Sequence, residues 1–308
     1  MGFCFKKKES IAKAVRRLSG ERTREALECL KKSHDSGAIH CVRKDIKKAR
    51  AVLRLVRAEL PRKTYRRQIK WLRKAANHLT TARDAQVRAA ALQALNRRFK
   101  KQLAPAAWHH ARALTQNSLE VQIRRFAKTN SAKKAQQLLR RHAKELNDLD
   151  VAGKGWKAIC AGVKASYSGG RRAYRQALKD PTPENFHEWR KRAKDLWYQV
   201  RLLRPIWPEQ MDATANELKE LTEKLGDDHD LFILGRSMSH LSGRNRTFPE
   251  WDALNALIEQ RECELRTKAI ELGAKFYAER PAAFLARLAG YWRTWRGEKK
   301  LENNSVLV

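Results

Sequence analysis

Acidic residues are scarce in this chain: 33 Asp and Glu face 67 Lys and Arg, a formal net charge of +34 over 308 residues. A surplus of that size repels itself, so it points outward, to a nucleic acid, an inorganic polyanion or an anionic membrane surface as partner. Long apolar runs are missing as well. None approaches the roughly 18 residues of a membrane helix, so no membrane insertion is expected. The opening MGFCFKKKES has basic residues with no apolar stretch behind them, which is not the pattern of a secretory signal. Five cysteines (Cys4, Cys29, Cys41, Cys160 and Cys263) are odd in number and form no CxxC pair. That set argues against a disulfide framework and for a reducing, cytoplasmic setting. Glycine and proline are also few, 14 and 8. Neither a Walker-type glycine-rich loop nor a nucleophile elbow is found, so no catalytic residues and no cofactor are expected.

What fills the chain is Ala, Leu, Lys, Arg, Glu and Gln, the strong helix formers. No segment alternates with period two between turn residues, so the fold class expected is all-α. The punctuation predicts helices over 9–33, 38–59, 62–79, 83–100, 105–128 and 131–148. A second series is predicted over 153–179, 183–204, 209–224, 228–241, 250–278 and 281–295, followed by a flexible tail at 297–308.

The second series partly repeats the first. At an offset of 147, His40 meets His187, Arg43 meets Arg190, Lys44 meets Lys191 and Lys47 meets Lys194. The same offset pairs Arg17 with Lys164, Arg24 with Arg171, and Arg54 with Arg201. At an offset of 146, Leu72 meets Leu218, Leu79 meets Leu225, and Asp84 meets Asp230. A residue lost from a loop between helices explains the change of offset. The expected architecture is a single domain, 1–296, of two pseudo-symmetric helical halves, about 9–150 and 151–296, produced by tandem duplication.

Within the repeated helix, Ile39, Val42, Ile46, Ala49, Leu53, Val56 and Leu60 recur at spacings of three and four and make a core stripe. One residue later runs a second stripe of His40, Arg43, Lys47, Arg50, Arg54 and Arg57. It lies about 100° around the helix, beside the buried face. The repeat has Phe186, Trp189, Ala193, Leu196, Val200 and Leu203 inward, shadowed by His187, Arg190, Lys194, Trp197, Arg201 and Arg204. Lys70 and Arg73 shadow the core of helix 62–79, with a weaker echo around Lys219. Lys164 and Arg171 do the same on helix 153–179. Most charge runs are solvated helix faces, but those mix signs, because like charges at i,i+4 cost a few tenths of a kcal/mol. A single-signed stripe repeated beside the core in both halves instead predicts a polyanion groove. From His40 to Arg54 it spans about 21 Å, a length suited to a polymer.

The motif HxxRxxxKxxR at 40–50, the pair Arg83–Asp84, a second HxxRxxxK at 187–194 and LGDDHDL at 225–231 resemble the CHAD family, whose name stands for conserved histidine α-helical domain. The resemblance covers about 10–295. It implies two four-helix halves around a basic central channel, binding of inorganic polyphosphate and association with polyphosphate granules. By position the binding residues implied are His40, Arg43, Lys47, Arg50, His187, Arg190 and Lys194. Trp197 departs from the pattern, standing where the counterpart of Arg50 would be an arginine.

Other constellations carry less. His34, His40, the pair His109–His110, and His229 among Asp227, Asp228 and Asp230 offer no zinc-like set of four ligands, and Arg43 would repel a cation. No metal site is expected, and Asp84 and Asp230 read as helix caps or as partners that hold an arginine. Nucleic acid is the alternative partner, since any phosphate backbone rewards the same cations. Base stacking would need exposed aromatics. Trp71, Trp156 and Trp189 sit at core phases, leaving Trp197 as the exception.

Overall fold

The computed structural model describes residues 2–31, 36–245 and 250–297. Among these residues there are eleven α-helices and no strand. They are α1 (Ile11–Lys31), α2 (Ser36–Leu55), α3 (Arg62–Asn77), α4 (Thr80–Phe99), α5 (Pro105–Lys128), α6 (Ser131–Leu146), α7 (Lys157–Lys179), α8 (Pro183–Leu202), α9 (Pro208–Asn245), α10 (Trp251–Phe276) and α11 (Pro281–Arg296). Proline's missing N–H and fixed φ suit the first helical position, and Pro105, Pro183, Pro208 and Pro281 each occupy it. The Thr182 hydroxyl caps α8 by accepting from the Asn185 amide. Gly297, at φ 72°, closes α11 in the left-handed conformation that glycine adopts without strain.

Two expectations about helix ends are corrected. The segments 38–59 and 183–204 each end early and continue as a single 3-10 turn, Arg57–Glu59 and Arg204–Ile206. The segments 209–224 and 228–241 are one unbroken helix, α9. In the first half the chain does break, at His78 and Leu79 between α3 and α4. His34 and the tail beyond Gly297 lie outside the described residues.

The order helix, helix, 3-10 turn, helix occurs twice, from α1 to α3 and from α7 to α9. Leu55 and Leu202 end α2 and α8, and the two 3-10 turns follow at the same offset of 147. Arg62 and Pro208, which open α3 and α9, are 146 apart, so the lost residue falls in the connection after the 3-10 turn. Loops absorb such changes most easily.

One core joins α1, α2, α3, α6, α7, α8, α11 and the first part of α9, around Trp189, Trp292, Tyr167, Phe186 and Phe284. The N-terminal segment is part of it: Phe5 is buried edge-on against Trp292, and its amide donates to Leu202 O. A second cluster unites α4, α5, the last turns of α9 and α10 around Trp108, Leu234 and Ile258. Helices α2 and α8 pack against each other at the centre. Helix α7 passes very close to the end of α2 because residue 162 is glycine; a Cβ there would meet Leu55 O at 1.9 Å.

The expectation of unpaired cysteines is also corrected. Helices α1 and α2 pack side by side and bring Cys29 and Cys41 together as a disulfide, with Cα atoms 6.4 Å apart. Cys4, Cys160 and Cys263 are free thiols.

Candidate anion-binding site

A cavity of ≈ 510 Å³ opens where α2, α4, α8 and α9 meet. Helix α2 contributes His40, Arg43, Lys44, Lys47, Arg50 and Arg54, because the basic stripe lies one residue past the core stripe and so borders the α2–α8 packing face. Helix α8 contributes His187, Arg190, Lys191, Lys194, Asp195, Trp197 and Tyr198 in the same phase. Arg83 and Asp84 enter from α4, His229 and Asp230 from α9. The lining thus holds nine Lys or Arg against three Asp.

The acids in it act on the cations around them. Asp195 pairs with Arg54 across the α2–α8 contact. Asp84 acts on Arg43, and Asp230 on Arg83 and Arg190. Burial pushes both of the latter carboxyls up, against the opposing pull of those arginines. Neither acid is a helix cap: Asp84 lies in the second turn of α4, and Asp230 lies well inside α9.

The two repeated arginines differ in what holds them. Arg43 Nη1 donates to Ala76 O and to Thr80 Oγ1, both at 2.9 Å, across the break between α3 and α4. At an offset of 146 the counterpart of Thr80 is Gly226, in the unbroken α9. There Arg190 only packs close: a Cβ on Gly226 would lie 3.5 Å from its Nε. Arg190 Nε is buried without a partner, as are Arg50 Nε and His187 Nδ1. Unmet buried nitrogens are uncommon in folded proteins, and these three border an open, cationic cavity.

Crowding shifts the titration of the site. Burial, with Arg190, Arg43 and Lys194 close by, lowers Lys47 to about 7. Burial and Arg190 lower Lys194 to about 8. His187 packs against His229 at 3.9 Å between ring centres, the rings tilted by 31°. Burial, then Lys191 and Arg190, hold His187 at about 4; burial, then His187 and Arg190, hold His229 at about 3. His40, at the rim, is lowered by partial burial and by Arg83. In the empty protein the interior histidines are therefore neutral at pH 7.

Compared with protein-family models, residues 11–238 match the CHAD domain. The chain belongs to the CHAD family. Two solved structures share the fold. PptA from Streptomyces chartreusis superimposes with a TM-score of 0.63 at 14% identity, covering 86% of this chain and 98% of that one. The CHAD domain from the plant Ricinus communis gives 0.59 at 16%, covering 97% and 96%. No curated protein sequence matches.

Of the residues singled out in the sequence, the CHAD fold gathers His40, Arg43, Lys47, Arg50, Arg54, His187, Arg190 and Lys194 in one cavity. Arg201 stands beside it, 5.0 Å over the Trp197 ring. Arg73 is exposed but close enough to Arg50 to act on its charge. Four others, Arg24, Lys70, Lys164 and Lys219, are exposed and do not line the cavity. Arg17 and Arg171 serve packing. Arg17 pairs with Glu9 at 2.7 Å and donates to Cys4 O, tying down the N-terminal segment, while Arg171 donates to Tyr277 O.

Sequence reading gave Arg83 no binding role, and it set His229 aside as a weak metal candidate. They are counterparts at an offset of 146, each beside its repeated aspartate, and that register was the available signal. Trp197 is covered by cations, with Lys194 Nζ 3.8 Å from its ring centre. Such contacts are worth about 0.5–2 kcal/mol and position the lysine.

Proposed function

We propose that this CHAD protein binds inorganic polyphosphate, without catalysis, in the cavity between α2 and α8. The observation that carries the reading is a cavity lined by nine Lys or Arg, in which buried donors of Arg50 and Arg190 have no protein acceptor. Phosphate oxygens supply what those groups lack: acceptors for planar guanidinium forks and counter-charge for crowded lysines. Family membership supports polyphosphate over other polyanions. Recruitment to polyphosphate granules follows from the same reading. No described helix is long and apolar enough to cross a membrane.

Nucleic acid shares the phosphate chemistry, but the one tryptophan in the cavity already has Lys194 and Arg201 over its ring, leaving little room for base stacking. The test is competition. Protein loaded with long-chain polyphosphate is challenged with single-stranded RNA of equal charge, and polyphosphate should be retained. Ready displacement by RNA would remove the specificity claimed. In parallel, Arg43, Lys47, Arg190 and Lys194 are changed together to Gln, and compared with the same change at exposed Lys6, Lys8, Lys100 and Lys101. The cavity set should lose at least about 100-fold in affinity, several charge-assisted bonds being removed, and the surface set under about fivefold. Equal losses would mean that net charge alone governs binding.

A further inference from the structure

The bridge between Cys29 and Cys41 lies beside the cationic cavity. Cys29 is in the last turns of α1 and Cys41 in the second turn of α2, directly after His40 and two residues before Arg43, both of which line the cavity. Both cysteines are half-buried, so a soluble thiol can reach the pair. Cys41 Sγ also lies 3.7 Å from Oδ2 of the buried Asp45, whose Oδ1 holds Lys48 at 3.0 Å and, from α1, Arg22 at 3.4 Å. Arg22 and Lys48 stand 6.0 and 5.6 Å from the centre of the Phe3 ring. Phe3 in turn meets Tyr198 edge-on, and Tyr198 lines the cavity from α8. A chain of contacts thus runs from the bridge, past the first turns of α2, to the α8 wall.

The other half of the molecule is closed differently. At the offset of 147, Cys29 and Cys41 correspond to Gln176 and Glu188. There hydrogen bonds shape the connection: Thr182 caps α8, and Asn185 Nδ2 donates to Asp180 O at 2.7 Å and to its carboxylate at 2.8 Å. One wall of the cavity is held by a bond that reduction can cut, and the other is not.

We propose that the Cys29–Cys41 pair is a redox switch on the cavity: oxidised, it holds the α2 wall in place for a polyanion; reduced, it loosens that wall and weakens binding. The inference rests on the cavity being the anion site and adds its regulation. The reaction is exchange with a dithiol. One thiolate of the dithiol attacks a bridge sulfur, and the other bridge sulfur leaves with the electron pair. The second thiol of the reductant then resolves the mixed disulfide. The bridge gains two electrons and two protons as the dithiol becomes a disulfide. A cross-link limits how far the segments it joins can open. Once it is cut, the end of α1 and the first turns of α2 open more often. His40 and Arg43 must then be ordered again when a polyanion binds, at a cost in affinity.

The test compares the full chain equilibrated with oxidised and with reduced dithiothreitol. Alkylation should count three thiols in the oxidised form, Cys4, Cys160 and Cys263, and all five cysteines in the reduced form. On reduction, amide hydrogen exchange over residues 36–43 should quicken at least about tenfold, while 183–190 in the repeat keeps its rate. Polyphosphate affinity should fall at least about threefold. Cys29→Ser should behave as the reduced form under both conditions. Five reactive thiols in oxidised dithiothreitol, or polyphosphate bound equally well by the two forms, would overturn the proposal. So would a Cys29→Ser protein whose affinity still responds to the reductant, since another thiol would then be the cause. Exchange that responds to reduction in a protein that binds polyphosphate in neither form would refute polyphosphate as the ligand and keep the redox-sensitive wall.

Discussion

Lys47 and the histidines divide the pH range of the site between them. The sequence suggests that His40 and His187 gain protons when a polyanion binds, so that affinity changes between pH 8 and 6. In the structure His187 and His229 titrate at about 4 and 3 when the cavity is empty, below that window, while Lys47 and Lys194 titrate at about 7 and 8, within or just above it. A bound polyanion raises each of these toward its ordinary value, near 10.4 for lysine. A group with a higher pKa in the complex takes up a proton on binding, so affinity increases as pH falls from the bound value to the free one. Polyphosphate affinity should therefore rise steadily from pH 9.5 to 7, driven by the two lysines, and again below about 6.5 as the histidines join. Lys47→Arg should flatten the upper limb, and His187→Gln only the lower one. Titration calorimetry in two buffers of different ionisation enthalpy measures the protons directly; an unchanged upper limb in Lys47→Arg would refute this assignment. The stripe of cations was legible because a helix has a fixed period. The burial that inverts the roles of Lys47 and His187 was not, because it depends on how closely α2 and α8 approach.

At the scale of elements, proline and glycine made most boundaries readable, and the failures are informative. A break was expected at 225–227, and Gly226 within it costs about 1 kcal/mol inside a helix. The structure runs α9 straight through, since Leu218, Leu221 and Leu225 are buried on one side of that point and Leu231 and Leu234 on the other. Packing outweighs propensity there. The consequence reaches the site, because Arg43 is held at a helix break and Arg190 is not. Sequence alone also gave no sign of the buried polar link between helices α1, α3 and α6. His142 on α6 is fully buried, with Nε2 3.1 Å from Ser19 Oγ and Nδ1 hydrogen-bonded to Gln68 Oε1. Burial holds it at about 3, against 6.5 when unfolded. The unfolded chain binds the extra proton between those values, so stability is full above pH 6.5 and is lost as pH falls toward 3. This one residue should contribute a loss of about 1.4 kcal/mol per pH unit below about 6. His142→Gln should be less stable at pH 7 but show a shallower loss between pH 6 and 4.5, read from urea midpoints. An identical pH slope in the variant would show that other groups govern acid unfolding.

For the whole molecule, the question is whether +34 charges act as a cloud or through one cavity. The six positions Arg17, Arg24, Lys70, Lys164, Arg171 and Lys219, exposed or engaged in packing, carry six formal charges against the nine of the cavity, yet they do not converge. Salt dependence separates the two cases, because each phosphate contact releases a counterion. If about eight of the nine cavity cations meet phosphates, log affinity should fall against log salt with a slope near −6, using the coefficient for a single-stranded polyanion. Once the polymer exceeds the roughly 21 Å from His40 to Arg54, further length should add no contacts, so the slope should stay constant as chains grow. A charge cloud would instead steepen the slope with every added phosphate that finds a surface lysine. Binding isotherms at four salt concentrations, for chains from short to several hundred units, decide it. A slope shallower than about −2 would mean that the cavity is not the site, and one that keeps steepening with length would return the binding to the surface as a whole.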